Sequence, residues 1–268
     1  MDPSIRLGLE LPPLDPPAGS DHAPVTLGRL LDTVAAAERA GFGAVWVTGG
    51  AADNGCDGCT LAAGLASGAP SVTLGVVASL DGARNPSLLA RDVTALDIVS
   101  GGRSALLLGG GHCLGEAIAV CRTLFSGAGD FDGDCYRLSG AVNRPAPVRP
   151  DGPPLWAQPA EPGALATLVG MVDAFVVEGT PSDLEAVCRT AEVATAGVGR
   201  PAVVWRGGLG EGPGAAGVAD QVELLHRSGA DGLILRPEGE VGWPTDDFDT
   251  RIERLGALLG PVVEGWRR

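Results

Sequence analysis

Short apolar runs rich in Val, Leu and Ala are separated by longer amphipathic runs along the whole sequence. That rhythm limits the fold more than any single residue does. Strand-like runs occur at residues 5–11, 44–48, 72–79, 104–108, 155–157, 174–178, 202–205 and 232–235. Helical runs follow at 26–40, 60–67, 86–100, 114–125, 164–171, 182–196, 218–228 and 246–266. In the first helix Leu27, Leu30, Leu31 and Val34 share one face, Thr26 suits an N-cap and Gly41 a stop. Strands that alternate with helices make a parallel sheet, and eight such units favour closure into a (β/α)₈ barrel over its rival, an open doubly wound sheet. Residues 131–150, rich in Gly, Asp and Pro, interrupt the rhythm and read as an excursion with a hairpin. The Pro- and Gly-rich stretches 12–24 and 207–217 fit loops on the strand-end faces better than linkers, so residues 1–268 read as one α/β barrel domain.

Composition narrows the chemistry. Hydrophobic residues make up 45%, enough to fill a barrel and its helical cover. No apolar run reaches the roughly 18 to 20 residues of a membrane span, and Met1-Asp2-Pro3-Ser4 shows no secretory leader. A soluble cytoplasmic protein is expected. A formal net charge of −14 argues against nucleic acid or an anionic membrane as partner. All 19 basic residues are arginine. Without lysine, Schiff-base aldolase chemistry, pyridoxal phosphate anchoring and P-loop phosphoryl transfer are excluded. Cys56, Cys59, Cys113, Cys121, Cys135 and Cys188 sit in a chain with an ample core and no export signal, which predicts free thiols.

Several segments carry a family resemblance. They are Ala36-Ala37-Glu38-Arg39-Ala40-Gly41-Phe42-Gly43-Ala44-Val45-Trp46-Val47; Arg84-Asn85-Pro86 followed by Leu96-Asp97 and Ser100-Gly101-Gly102-Arg103; Phe131-Asp132-Gly133 with Tyr136; and Pro145-Ala146-Pro147-Val148 with Pro153-Pro154-Leu155-Trp156. In order and spacing the chain resembles the luciferase-like oxidoreductases that use FMN or the deazaflavin F420. The resemblance implies a barrel, commonly a homodimer, with FMN or F420 at the C-terminal face of the strands and a small organic substrate. An FMN-dependent member would also need a flavin reductase. The Ala-, Gly- and Arg-rich composition suggests a bacterial source. Three features depart from the pattern. Gly49-Gly50 stands where many F420-using members place a polar residue after strand 2. The region between strands 4 and 5 is about 15 to 20 residues short for an inserted active-site segment. After strand 5, Gln158-Pro159-Ala160-Glu161-Pro162-Gly163 replaces a glycine-rich phosphate turn, with prolines that offer no N–H.

His112 follows Gly109-Gly110-Gly111 at the end of strand 4 and is the candidate acid or base. Against the family it falls where some F420-using members carry a proton-donating carboxylate; the plainer alternative is an exposed loop histidine. Arg206, Gly207 and Gly208 after strand 7, and Arg236 after strand 8, form the candidate anion site, with a flexible loop as its rival. The cofactor ring would lie between Trp46, the strand 3 end at Val77-Ala78-Ser79, and His112. Trp46 and Trp156 serve equally well as packing, and Glu116 reads as structural. Arg84 either bonds a cofactor or caps a helix. Cys56-Asp57-Gly58-Cys59 has redox-dithiol spacing but no second half to complete a zinc site. No G-x-S-x-G elbow and no H-E-x-x-H metal motif occurs, and no metal is expected. A second class of reading stays open: a degenerate barrel that has lost its cofactor and binds a ligand or partner without catalysis.

Overall fold

The computed structural model describes residues 6–12, 14, 25–48, 56–81, 85–160, 162–196, 199–208, 215–236 and 248–266. Its strands are β1 (Leu7–Glu10), β2 (Ala44–Thr48), β3 (Thr73–Ser79), β4 (Ser104–Gly109), β5 (Phe131–Asp132), β6 (Arg137–Leu138), β7 (Leu155–Gln158), β8 (Ala174–Val177), β9 (Ala202–Gly207) and β10 (Gly232–Leu235). Between them run α1 (Leu27–Arg39), α2 (Gly58–Leu65), α3 (Pro86–Ser100), α4 (Leu114–Phe125), α5 (Leu165–Leu168), α6 (Pro181–Ala194), α7 (Ala215–Arg227) and α8 (Phe248–Gly265). Eight parallel strands close in the order β1-β10-β9-β8-β7-β4-β3-β2. The (β/α)₈ barrel is therefore the fold, and the antiparallel hairpin β5–β6 is the excursion between β4 and β7.

Local chemistry sets the helix ends. The Thr26 hydroxyl accepts from the Arg29 amide at 3.2 Å and starts α1. Asn85 does the same for α3 through the Ser87 amide at 2.9 Å, with Pro86 in the first turn. Gly101, at φ 68°, ends α3 in the left-handed conformation that glycine tolerates best.

Strand alternation divides the core in two. Leu7, Leu9, Val45, Val47, Val76 and Ala78 face the helices. Trp46, Val77, Leu107, Trp156, Val176, Val204 and Ile234 fill the barrel interior. Trp46 and Trp156 meet there with ring centroids 4.7 Å apart and planes at 44°. Gly8 and Gly75 make room for this pair: a Cβ on Gly8 would stand 2.7 Å from Trp46 Nε1, and one on Gly75 would collide with the same indole.

Two elements differ from the sequence reading in ways that matter for function. β9 runs two residues beyond 205, so Arg206 and Gly207 are strand residues. The helix read at 164–171 is one short turn, α5, entered through a 3-10 turn at Pro162–Ala164.

Candidate functional site

Continuing the inward phase of each strand by one step builds a polar layer at the C-terminal mouth, the face on which barrel enzymes work. Glu10, Thr48, Gln158, Glu178, Arg206 and Arg236 meet there. The Arg206 guanidinium grips Glu10 in a fork, Nε to Oε2 at 2.9 Å and Nη2 to Oε1 at 2.6 Å. Its Nη1 donates to Glu178 Oε1 at 2.6 Å and to Gln158 Oε1 at 3.1 Å. Arg236 reaches Glu178 Oε1 at 2.5 Å and Glu10 Oε2 at 3.3 Å, and the Thr48 hydroxyl donates to Glu10 at 2.7 Å. Burial by itself would raise the Glu10 carboxyl. The hydrogen bond and charge of Arg206, with help from Thr48 and Arg236, outweigh it and hold Glu10 below its ordinary value.

This network gives the arginines of the expected anion site carboxylate partners within the chain. Arg206 is only 7% exposed and already makes four hydrogen bonds. Two guanidiniums face two carboxylates, so the cluster offers an incoming phosphate no net positive charge. Gly207 is a residue of β9, and its carbonyl accepts the Arg236 amide at 2.9 Å within the barrel ladder. Gly208 lies half-buried just past the strand. Leu209 and Gly210 lie outside the described residues. Glu10 and Glu178 were missed in the sequence. The signal was there: each continues the inward alternation of its strand, Glu10 in phase with Gly8 and Glu178 with Val176.

Beside the network, a cleft of about 670 Å³ opens between the β4–α4 and β7–α5 connections. His112, Asp81, Cys113, Leu114, Thr167 and Leu168 are among its lining residues. Asp81 shapes one wall, taking a hydrogen bond from the Ser79 hydroxyl at 3.1 Å and from the Gly111 amide at 2.8 Å. Gly110 and Gly111, at φ 71° and 72°, let the loop fold against that carboxylate, which a side chain at 110 would strike. His112 stands exposed on the cleft surface. Glu116 has the structural role expected of it. Its carboxylate accepts the amides of Asp134, Cys135 and Tyr136 at 3.0, 2.9 and 3.0 Å, fastening the hairpin turn to α4. Desolvation opposes ionisation there, but the three amides prevail and lower its pKa.

Other expectations separate. Trp46 is fully buried within the barrel and faces no open space, so it packs against Trp156 and does not line the mouth. Its Nε1 is buried without a hydrogen-bond partner. Val77 belongs to the same interior layer. Ala78 points the other way, into the helix-facing core, because adjacent strand residues alternate sides. Of the three strand 3 residues, Ser79 alone reaches the exposed end, where it supports Asp81. Arg84, Gly49, Gly50 and Glu161 lie outside the described residues. The thiol expectation also needs correction. Cys113 and Cys135 form a disulfide between the N-cap of α4 and the hairpin turn. They are 22 residues apart with no motif to mark them. Cys56 is exposed and Cys59 buried, and the pair is not the site of that disulfide.

The segment from Leu96 to Arg103 turns out to be structural. Asp97, fully buried, accepts from the Ser104 hydroxyl and the Val148 amide, both at 2.7 Å. Arg103 donates to the carbonyls of Ala69 and Val72. These bonds tie α3, the entry of β4 and the excursion together at the end of the barrel opposite the mouth.

The comparisons bear on these pieces unequally. Residues 13–114 match the family model for luciferase-like monooxygenases. That stretch is luciferase-like. It carries Trp46, Val77, Ser79 and His112, whereas Glu10, Gln158, Glu178, Arg206 and Arg236 lie outside it. No curated protein matches the sequence. Solved structures agree across almost the whole chain. The coenzyme F420-dependent tetrahydromethanopterin reductase from Methanopyrus kandleri superposes with a TM-score of 0.77 at 15% identity, over 97% of this chain and 99% of that one. A monooxygenase from Streptomyces bottropensis gives 0.78 at 14% identity, over 96% and 99%. The oxygenating constituent of 3,6-diketocamphane monooxygenase from Pseudomonas putida, a type II Baeyer–Villiger enzyme in complex with FMN, gives 0.73 at 12%, over 96% and 98%. At such identities these structures establish the shared fold.

A flavin-type cofactor can be tested against the residues present. The cleft has the volume of a small-molecule site, and Leu114, Ala160, Ala164 and Leu168 give it apolar wall beside its polar groups. That suits a flat ring. The mouth network does not suit the anionic tail, because Arg206 and Arg236 are each matched to carboxylates.

Proposed function

We propose that the chain is an oxidoreductase of the luciferase-like kind, using FMN or F420 on a small organic substrate. The observation that carries this reading is the cleft at the barrel mouth with His112 on its wall, at the end of the luciferase-like stretch. When bound, the cofactor would supply the redox chemistry. The chain's own groups supply placement and protons. His112 is the candidate proton donor or acceptor at the cleft surface, Asp81 fixes the glycine loop that presents it, and Leu114 and Leu168 shield one side from water. The Glu10–Arg206 network at the same end of the barrel, with its charges paired, does not favour an added anion.

One observation favours a second reading, a barrel that binds a ligand without catalysis. The arginines expected to hold the cofactor tail are paired with Glu10 and Glu178. Titration of the purified chain with FMN and, separately, F420 decides between them, followed by absorbance and cofactor fluorescence. Micromolar binding of one names the cofactor. Absence of binding by both at concentrations near a millimolar overturns the oxidoreductase and leaves the second reading. The homodimer implied by the resemblance belongs to the same proposal, and sedimentation should then give twice the 26.9 kDa chain mass.

A further inference from the structure

The Cys113–Cys135 disulfide does not stand alone. A ring nitrogen of His112 and the two sulfurs lie within 4.8 Å of one another, and all three residues line the cleft. One imidazole and two thiolates are the soft N/S donor set preferred by zinc-like ions. Two Zn–S bonds of about 2.3 Å in a tetrahedral site hold the sulfurs roughly 3.8 Å apart. The present Cα separation of 6.2 Å accommodates that opening with side-chain rotation. The neighbouring carboxylates are committed elsewhere, Glu116 to three amides and Asp81 to Ser79 and Gly111. Three protein ligands would therefore leave the fourth coordination position to water or to a ligand in the cleft, the arrangement of an open site.

We propose that reduction of Cys113–Cys135 converts this corner of the cleft into a binding site for a zinc-like divalent cation, with His112, Cys113 and Cys135 as ligands. A dithiol reductant delivers two electrons and two protons. The Sγ–Sγ bond breaks, two thiols form, and the reductant closes its own disulfide. On metal binding both thiols release their protons to solvent and donate as thiolates, while His112 donates from neutral imidazole. In the oxidised chain the sulfurs are spent on each other and the site does not exist. The proposal does not depend on any cofactor, since metal uptake is read directly.

The test uses the full chain carrying Cys56→Ser, which removes the exposed member of the competing C-x-x-C pair. Cobalt(II) is the probe, because thiolate ligation gives it a charge-transfer absorption. The reduced protein should take up one equivalent with that band, and the oxidised protein none. Cys113→Ser with Cys135→Ser should abolish the band. His112→Ala removes an exposed side chain that the fold does not need, and should weaken uptake about tenfold or more, the scale on which even outer-shell losses are felt. No band in the reduced protein, equal uptake by the oxidised protein, or undiminished uptake by His112→Ala would each overturn the proposal.

Discussion

At Glu10 a carboxylate sits in the barrel mouth where solvent barely reaches, and the guanidinium of Arg206 makes that placement tolerable. Glu10→Gln leaves Arg206 buried with part of its countercharge missing. A loss of stability of about 3 to 5 kcal/mol is expected, the usual scale for breaking a buried pair from one side. Its pH dependence has a definite sign. The folded-state pKa of Glu10 lies below the unfolded reference of 4.5, so its contribution is complete above that value and fades as pH falls through the folded value. Denaturant midpoints of wild type and Glu10→Gln should differ at neutral pH and converge in acid. A constant gap would mean that ionised Glu10 is not what the network stabilises. Trp46 makes a contrasting case. Since it fills the barrel interior, Trp46→Ala should cost about 3 to 5 kcal/mol of stability. A loss of cofactor affinity in Trp46→Ala with no loss of stability would place the indole at the ligand instead.

The strands and their connections carry the functional difference between Arg206 in a loop and Arg206 in β9. The sequence reading ended the seventh strand at 205, because the following glycines look like a turn. The backbone continues in register, pairing Arg206 with Ile234 and Gly207 with Leu235. A residue that moves from loop to strand changes from a free donor to part of an inward layer, and its partners then come from other strands. No local pattern names Glu10 and Glu178 as those partners, since the three residues come together only when the barrel closes. The position of His112 just past a strand end was legible for the opposite reason: a triple glycine after an apolar run marks such an end by itself. If Glu178 holds Arg206 and Arg236 away from anions, Glu178→Gln should tighten binding of inorganic phosphate or FMN by a few-fold. A half-exposed pair of this kind is worth up to about 1 kcal/mol. Isothermal titration measures the effect, and unchanged affinity would show that the anion-binding groups lie elsewhere.

Over the whole molecule, the fold was readable because eight repeats of one pattern admit few closures, and the excursion at 131–150 stood out by breaking that pattern. Strand and helix limits such as those of β2, α3 and α4 followed from periodicity, with Pro86 marking the first turn of α3. The proposed site was only half readable. Its luciferase-like stretch ends at residue 114, and the mouth network draws on strands beyond it at both ends of the chain. Motif resemblance also pointed partly at structural devices, as the buried Asp97 and the carbonyl-bound Arg103 illustrate. Central to the proposed function is that the cleft beside His112, and not the neutralised arginine cluster, would receive the ligand. Thr167→Trp tests this most directly, because Thr167 is an exposed residue of the cleft wall and an indole there would fill the space without disturbing the core. Titrated with FMN and F420, the variant should keep the wild-type fold by circular dichroism and lose binding of whichever cofactor the wild type takes up. Wild-type affinity in Thr167→Trp would contradict the account and move the site elsewhere on the barrel mouth.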